Sequence, residues 1–252
     1  VSDVLNLAGI EAEIVPPTAP QTLGTLAQAS PQAASGNYAV VKAQQFEGIS
    51  GDITSRDLTS PRLTLVQKSS PLMGNPFNFG DVVVAKDHLL LAAKQGEQGI
   101  SIIFCALELF YEENKPWGED KRIFHSLAEV HAAGMCDDMK AKNGVKRVAN
   151  LLLLVEAPEQ MTEGLAAFFT VSVGGKLYAP LLYTVSSVAY TNVVKKLLEF
   201  TKANRQFWTY RWKMTFRKVP FDKGEAFQPS IQLLGKLTPE EIEGVNLARP
   251  VS

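Results

Sequence analysis

Arg205-Gln206-Phe207-Trp208-Thr209-Tyr210-Arg211-Trp212-Lys213-Met214-Thr215-Phe216-Arg217-Lys218 is the stretch that decides how this chain is read. At period two, one register holds Trp208, Tyr210, Trp212, Met214 and Phe216, and the other holds Thr209, Arg211, Lys213, Thr215 and Arg217. A strand sends alternate side chains to opposite faces, so the stretch predicts a strand with one aromatic and one basic face. Helical spacing would scatter both sets. No Asp or Glu falls between Glu199 and Asp222, whereas Lys202, Arg205, Arg211, Lys213, Arg217 and Lys218 do. Rings beside an unopposed positive stripe suit single-stranded nucleic acid. The plainer alternative is an amphipathic strand with core aromatics and solvated charges. Phe216 and Met214 are expected in the core, with Trp208, Tyr210 and Trp212 nearer the rim, because an indole N–H needs a partner. If the whole aromatic register is core, Phe207 and Tyr111 become the stacking candidates.

Upstream of this strand, Tyr190, Val193, Val194, Leu197 and Leu198 mark one face of an amphipathic helix over 188–203, with Lys195, Glu199 and Lys202 on the other side. Three strands precede it, at 145–156, 165–173 and 176–185, the last two joined by the Gly174-Gly175 turn. Pro180 makes the third an edge strand or implies a bulge. A last strand follows at 227–234. Thr238-Pro239-Glu240-Glu241 then opens a short helix with a capping Thr, Pro at the first position and Glu three residues after the Thr. Three strands, a helix and two strands is the order of an OB-fold, so an OB-like barrel is expected over about 145–235. The fold class is mainly β with a few helices.

Before this core, short strands are expected at 38–43, 62–67, 81–85 and 88–92, a central one at 100–111, and a short helix at 125–133. Lys140, Lys142, Lys146 and Arg147 form a second basic segment that leads into strand 145–156 and could line the same groove. Residues 1–37 are rich in Pro and Ala, with Pro16, Pro17, Pro20 and Pro31, and read as an arm that could bridge copies of the chain. Residues 38–245 read as one globular domain and 246–252 as a short tail. Val1, not Met, opens the chain, which leaves its native start open.

With 25 basic and 26 acidic residues the net charge is -1, which argues against a protein coated in positive charge and permits a local basic groove. Two cysteines and three histidines in no CxxC or HExxH spacing give no support for a metal site, and no cofactor is expected. No apolar run reaches the roughly 18–20 residues of a membrane helix. The chain shows no charged-then-apolar leader, and a cytoplasmic setting is expected. Phosphate-loop, nucleophile-elbow and dinucleotide motifs are missing. The pairs Glu112-Glu113, Asp137-Asp138 and Glu240-Glu241 diverge on strand or helix, so no enzyme is expected.

Asp57-Leu58-Thr59-Ser60-Pro61-Arg62-Leu63-Thr64-Leu65-Val66-Gln67, then Ser69-Ser70-Pro71 and Gly80-Asp81, resembles a stretch in a loose group of bacteriophage and prophage proteins. Lys195-Lys196, the aromatic strand from Trp208 to Phe216, and Leu237-Thr238-Pro239-Glu240-Glu241 follow in the same order. The resemblance covers about residues 50–245. It implies a phage replication or recombination accessory that binds single-stranded DNA; some members are suspected virion components. Two departures stand out: the chain has no cysteine cluster, and Asn246-Leu247-Ala248-Arg249-Pro250-Val251-Ser252 is not a strongly acidic tail of the kind that recruits partners. The expected DNA-binding set is therefore Arg205, Trp208, Tyr210, Arg211, Trp212, Lys213, Arg217, Lys140, Lys142, Lys146 and Arg147. The alternative is a virion or assembly protein without a nucleic-acid role.

Overall fold

The computed structural model describes residues 61–115, 119–139, 141–221 and 224–249. In chain order come β1 (Leu63–Leu65), β2 (Val82–Val84), β3 (His88–Leu91), β4 (Ile100–Glu113), β5 (Ile123–Phe124), α1 (Leu127–Ala132), β6 (Val145–Glu156), α2 (Glu163–Ala166), β7 (Val171–Val173) and β8 (Lys176–Ser186). A helix in three parts follows: α3 (Ser187–Ala189), a π-helical turn (Tyr190–Lys195) and α4 (Lys196–Lys202). A 3-10 turn (Phe207–Thr209), β9 (Tyr210–Phe221), β10 (Gly224–Lys236) and α5 (Pro239–Ala248) complete the described chain.

Strands β4 and β6 organise the molecule because both of their faces are apolar. Ile102, Phe104, Leu151, Leu153 and Val155 point into the larger of two core layers, and Ile103, Leu152 and Leu154 into the other. A strand covered on both faces reads as a continuous apolar run, as Leu151 to Val155 does. The large sheet is antiparallel and seven-stranded, in the order β10-β9-β4-β6-β8-β7, with β5 paired to β4. On one face lie the long helix, through Val193, Val194 and Leu197, and the small sheet β1-β2-β3, through Leu63, Val82 and Val84. On the opposite face lies α5, through Val245 and Ala248.

The fold is mainly β with a few helices, as the sequence implies. No closed barrel is found among the described residues, so the OB-like barrel over 145–235 is not confirmed. Strand β4 sits between β9 and β6 and separates the strands that a barrel of 145–235 would have to join. The outer strands, β7 and β10, do not meet.

Two further elements differ from their expected form. The strand expected at 165–173 is a helical turn, α2, followed by the three residues of β7. Thr162 caps that turn by accepting from the Leu165 amide, and Leu165 and Phe169, four residues apart, both bury. The strand expected at 206–218 starts only at Tyr210, so Trp208 lies on the 3-10 turn before it. The strand expected at 38–43 and the arm 1–37, with any contact between copies through it, lie outside the described residues.

The motif residues upstream act as joints. The Leu182 amide donates to the Pro61 carbonyl at 2.9 Å, which attaches the chain before β1 to β8. Gln67 makes two bonds to the Phe227 backbone of β10: its amide donates to the carbonyl at 2.7 Å and its oxygen accepts from the N–H at 3.2 Å. Buried Asp81 accepts from the amides of Asn78 and Ala93, both at 2.8 Å. Gly80 has φ +94, and a Cβ there would stand 2.3 Å from the Phe227 ring. Among the described residues, Pro180 falls where β8 has no outer partner, between the three residues paired with β7 and the contact at Leu182. No helix among the described residues is long and apolar enough to cross a membrane.

Candidate nucleic-acid interface

The aromatic register of β9 faces the core. Trp212 is 4% exposed, and Met214 and Phe216 are buried with it. Its indole N–H donates to the Phe207 carbonyl at 3.1 Å, which satisfies the polar handle inside the core. Phe200 of α4 packs edge-on against Trp212 at 5.0 Å and against Tyr210 at 4.9 Å. The rim position expected for Trp212 is therefore corrected: helix α4 covers that end of the strand. Tyr210 is half-buried under Phe200, and Trp208 is half-buried on the α5 side, with the Arg249 guanidinium 4.0 Å above its ring.

The basic register faces the other way, but carboxylates from other elements meet part of it. Arg211 donates to Glu241 of α5 at 2.8 Å and to the Tyr178 hydroxyl at 3.2 Å, and its Nε lies 4.0 Å from Glu156. Lys176 also pairs with Glu156. Burial pushes the Glu156 carboxyl up, yet the hydrogen bond from Lys176 and the nearby charges outweigh it and hold it below the usual carboxylate range. Burial raises the Tyr178 phenol to about 12, and the charge on Glu156 adds to the rise. Arg211 thus holds α5 to the sheet. Lys218 pairs with Glu225 at 2.9 Å, while Arg217 reaches only 3.9 Å from the exposed Glu97. Lys213 forms no ion pair among the described residues.

The second basic segment is divided in the same way. Lys146 pairs with Glu112 at 3.1 Å, as Lys121 does at 3.0 Å, and Arg147 pairs with Asp137. Burial works against the Glu112 carboxyl, but the two lysines hold it below its usual range. Lys142 is exposed, and Lys140 lies outside the described residues. Tyr111 is half-buried against Phe124 and Val145. The two segments do not form one groove. Lys146 points from the same face of the sheet as Arg211, but Arg147, one residue on, points to the opposite face.

Positive charge without carboxylate partners gathers elsewhere. Lys195, Lys196 and Lys202 are exposed on the outer arc of the π turn and α4 and form no ion pair among the described residues; Lys195 and Glu199 do not close at i, i+4. Arg205 follows in the next turn, its guanidinium 5.4 Å from the Phe200 ring. Asn204, at φ 55, ends the helix and turns the chain back towards β9. Phe200, Phe207 and Tyr210 are half-buried beside this strip. Of the expected set, only Arg205 and Tyr210 belong to it. The lysines were visible in the sequence as the polar side of a helix, where charge is usual; their lack of partners is a tertiary fact.

Among the described residues, no three His, Cys, Asp or Glu side chains converge as a metal site would need. Scans of this chain against family models, curated proteins and solved structures gave no match.

Proposed function

We propose that this protein binds single-stranded DNA on a ledge formed by the π turn, α4 and the turn after it. One observation carries the reading: among the described residues Lys195, Lys196, Lys202 and Arg205 form no ion pair, and they lie beside the half-buried rings of Phe200, Phe207 and Tyr210. Cations tracking phosphates next to rings that can take a base are the elements of sequence-tolerant single-strand binding. Arg217 and Lys213, on the far face of β9, are secondary contacts at most, and Arg211 is committed to Glu241.

The test is a fluorescence titration of the full chain with dT oligomers at several salt concentrations. Each phosphate contact contributes about -0.7 to the slope of log K against log salt on single strands. Replacing Lys195, Lys196 and Lys202 together with Gln is expected to weaken binding and flatten that slope by about 2 units. An unchanged slope in a folded triple variant would sink the ledge. Unpaired bases are needed for stacking, so duplex of equal length is expected to bind more weakly.

A virion or assembly protein is the second reading. Leu247, 73% exposed on α5, and the half-exposed Leu234 of β10 favour it, since apolar side chains in solvent suit subunit contacts. Size-exclusion chromatography separates the two: assembly without oligonucleotide, and indifference to it, supports the second.

A further inference from the structure

A cavity of about 670 Å³ opens between β1, the end of β8 with the start of the long helix, and β10. It lies where the chain bridges to Leu182 of β8 at Arg62, just before β1, and β1 then pairs with β2. Gln67 closes one side through its two bonds to Phe227. Leu63, Val185 and Phe227 supply apolar wall, and Phe221, 52% exposed, stands at the lip. Two polar side chains of the lining bear on what could occupy it. Arg62 forms no ion pair among the described residues. Tyr183 is 5% exposed, and its hydroxyl makes no hydrogen bond among them. That hydroxyl is not sealed in the core but opens on the cavity wall, where a ligand atom can take the hydrogen bond it lacks.

We propose that this cavity holds one nucleotide, with the base inside against Phe227 and the Tyr183 hydroxyl and the phosphate at Arg62. The volume lies within the usual range of about 300–1,000 Å³ for small-molecule sites. A planar ring with a hydrogen-bonding edge matches walls that mix carbon with hydroxyl and amide groups. An acyl chain would press methylenes against the Tyr183 hydroxyl and the Gln228 amide. The proposal deepens the single-strand reading, but it stands on residues separate from the ledge.

The test uses the full chain, with dTMP and thymidine followed by saturation-transfer NMR and labelled dT15 followed by anisotropy. Arg62→Gln is expected to weaken dTMP roughly tenfold and to leave thymidine unchanged. Tyr183→Phe is expected to weaken both about five- to tenfold. Val188→Trp, at a lining position 49% exposed, is expected to fill the mouth and abolish both. Melting of each variant verifies folding, and the exposed Arg62 serves as the control if Tyr183→Phe or Val188→Trp fails to fold. If Val188→Trp also weakens dT15, the occupant is a nucleotide of a strand; if dT15 is unaffected, it is a free nucleotide. Both outcomes keep the assignment. It is overturned if the wild type gives no dTMP signal, if dTMP binding is equal in all variants, or if laurate binds in place of dTMP. If the wild type does not bind dT15 while dTMP still responds to the variants, the single-strand reading sinks and the cavity does not.

Discussion

Trp212 and Arg211 are neighbours on β9 whose side chains serve opposite core layers. Trp212 packs between Phe104, at 5.9 Å, and Phe200, at 5.0 Å, with its N–H bonded to Phe207. Trp212→Ala is expected to lower stability by about 3–5 kcal/mol and to leave the salt slope of the proposed DNA binding unchanged in whatever fraction stays folded. Arg211→Gln removes charge-assisted bonds to Glu241 and Tyr178, and a loss of about 1.5–3 kcal/mol is expected. Lys213→Gln, two residues on and without an ion pair among the described residues, should stay within about 0.5 kcal/mol of wild type. Chemical denaturation of the three variants checks this order. Cys105 offers a second residue-scale check. Burial raises its thiol to about 12, so it should resist alkylation in the native protein, while the half-exposed Cys136 reacts.

At the scale of an element, α5 is held by a small number of polar contacts. Thr238 and Glu241 form a capping box, and Glu241 also accepts from Arg211. Gly174, at φ +57 in the β7–β8 turn, lets Glu241 approach; a Cβ there would lie 2.8 Å from its Cγ. The backbone N–H of Thr238 holds the Glu241 carboxyl below its usual range against the effect of burial, and Arg211 adds to this. A carboxylate with a lowered folded pKa stabilises above its unfolded value of about 4.3, and that contribution fades as pH falls through the folded value. The melting temperature of Glu241→Gln should therefore lie furthest below wild type at pH 7, and the gap should narrow towards pH 3. A gap independent of pH would mean that packing, not charge, is what the substitution disturbs. Strand β10 is protected by a different device. Its outer edge carries the Gln67 bonds at Phe227 and a proline two residues further on, which lacks a donor, so another strand finds few groups to pair with there.

Among the described residues, apolar layers lie on both faces of the large sheet, and much of the charge is neutralised locally. Pairs drawn from distant parts of the chain, such as Arg211 with Glu241 and Lys146 with Glu112, bring opposite signs together on the surface. The near-zero total charge is spread by this pairing, and lysines that form no ion pair among the described residues cluster on the long helix around the exposed Glu199. Residues 1–37 lack a periodic apolar face, so deleting them is expected to leave a folded protein that melts within a few degrees of the full chain. A large fall in melting temperature or in oligomer size would show that the segment is docked.

The sequence by itself determined the local structure wherever one period dominated. The run from Val145 to Glu156, the Gly174-Gly175 turn, the helix after Ser187 and the Thr238 cap are each dictated by neighbours in the chain. The two registers of β9 were also legible, but the burial of Trp212 together with Met214 and Phe216 was not, because it depends on helix α4 covering that end of the strand. Tertiary structure alone decided that β4 enters between β9 and β6, which leaves the sheet open where local order suggested a barrel. It also decided which cations are free. A basic residue is unopposed when only its sequence neighbours are counted, but Coulomb attraction acts through space, and the carboxylates that meet Arg211, Lys146 and Arg147 come from other elements of the fold.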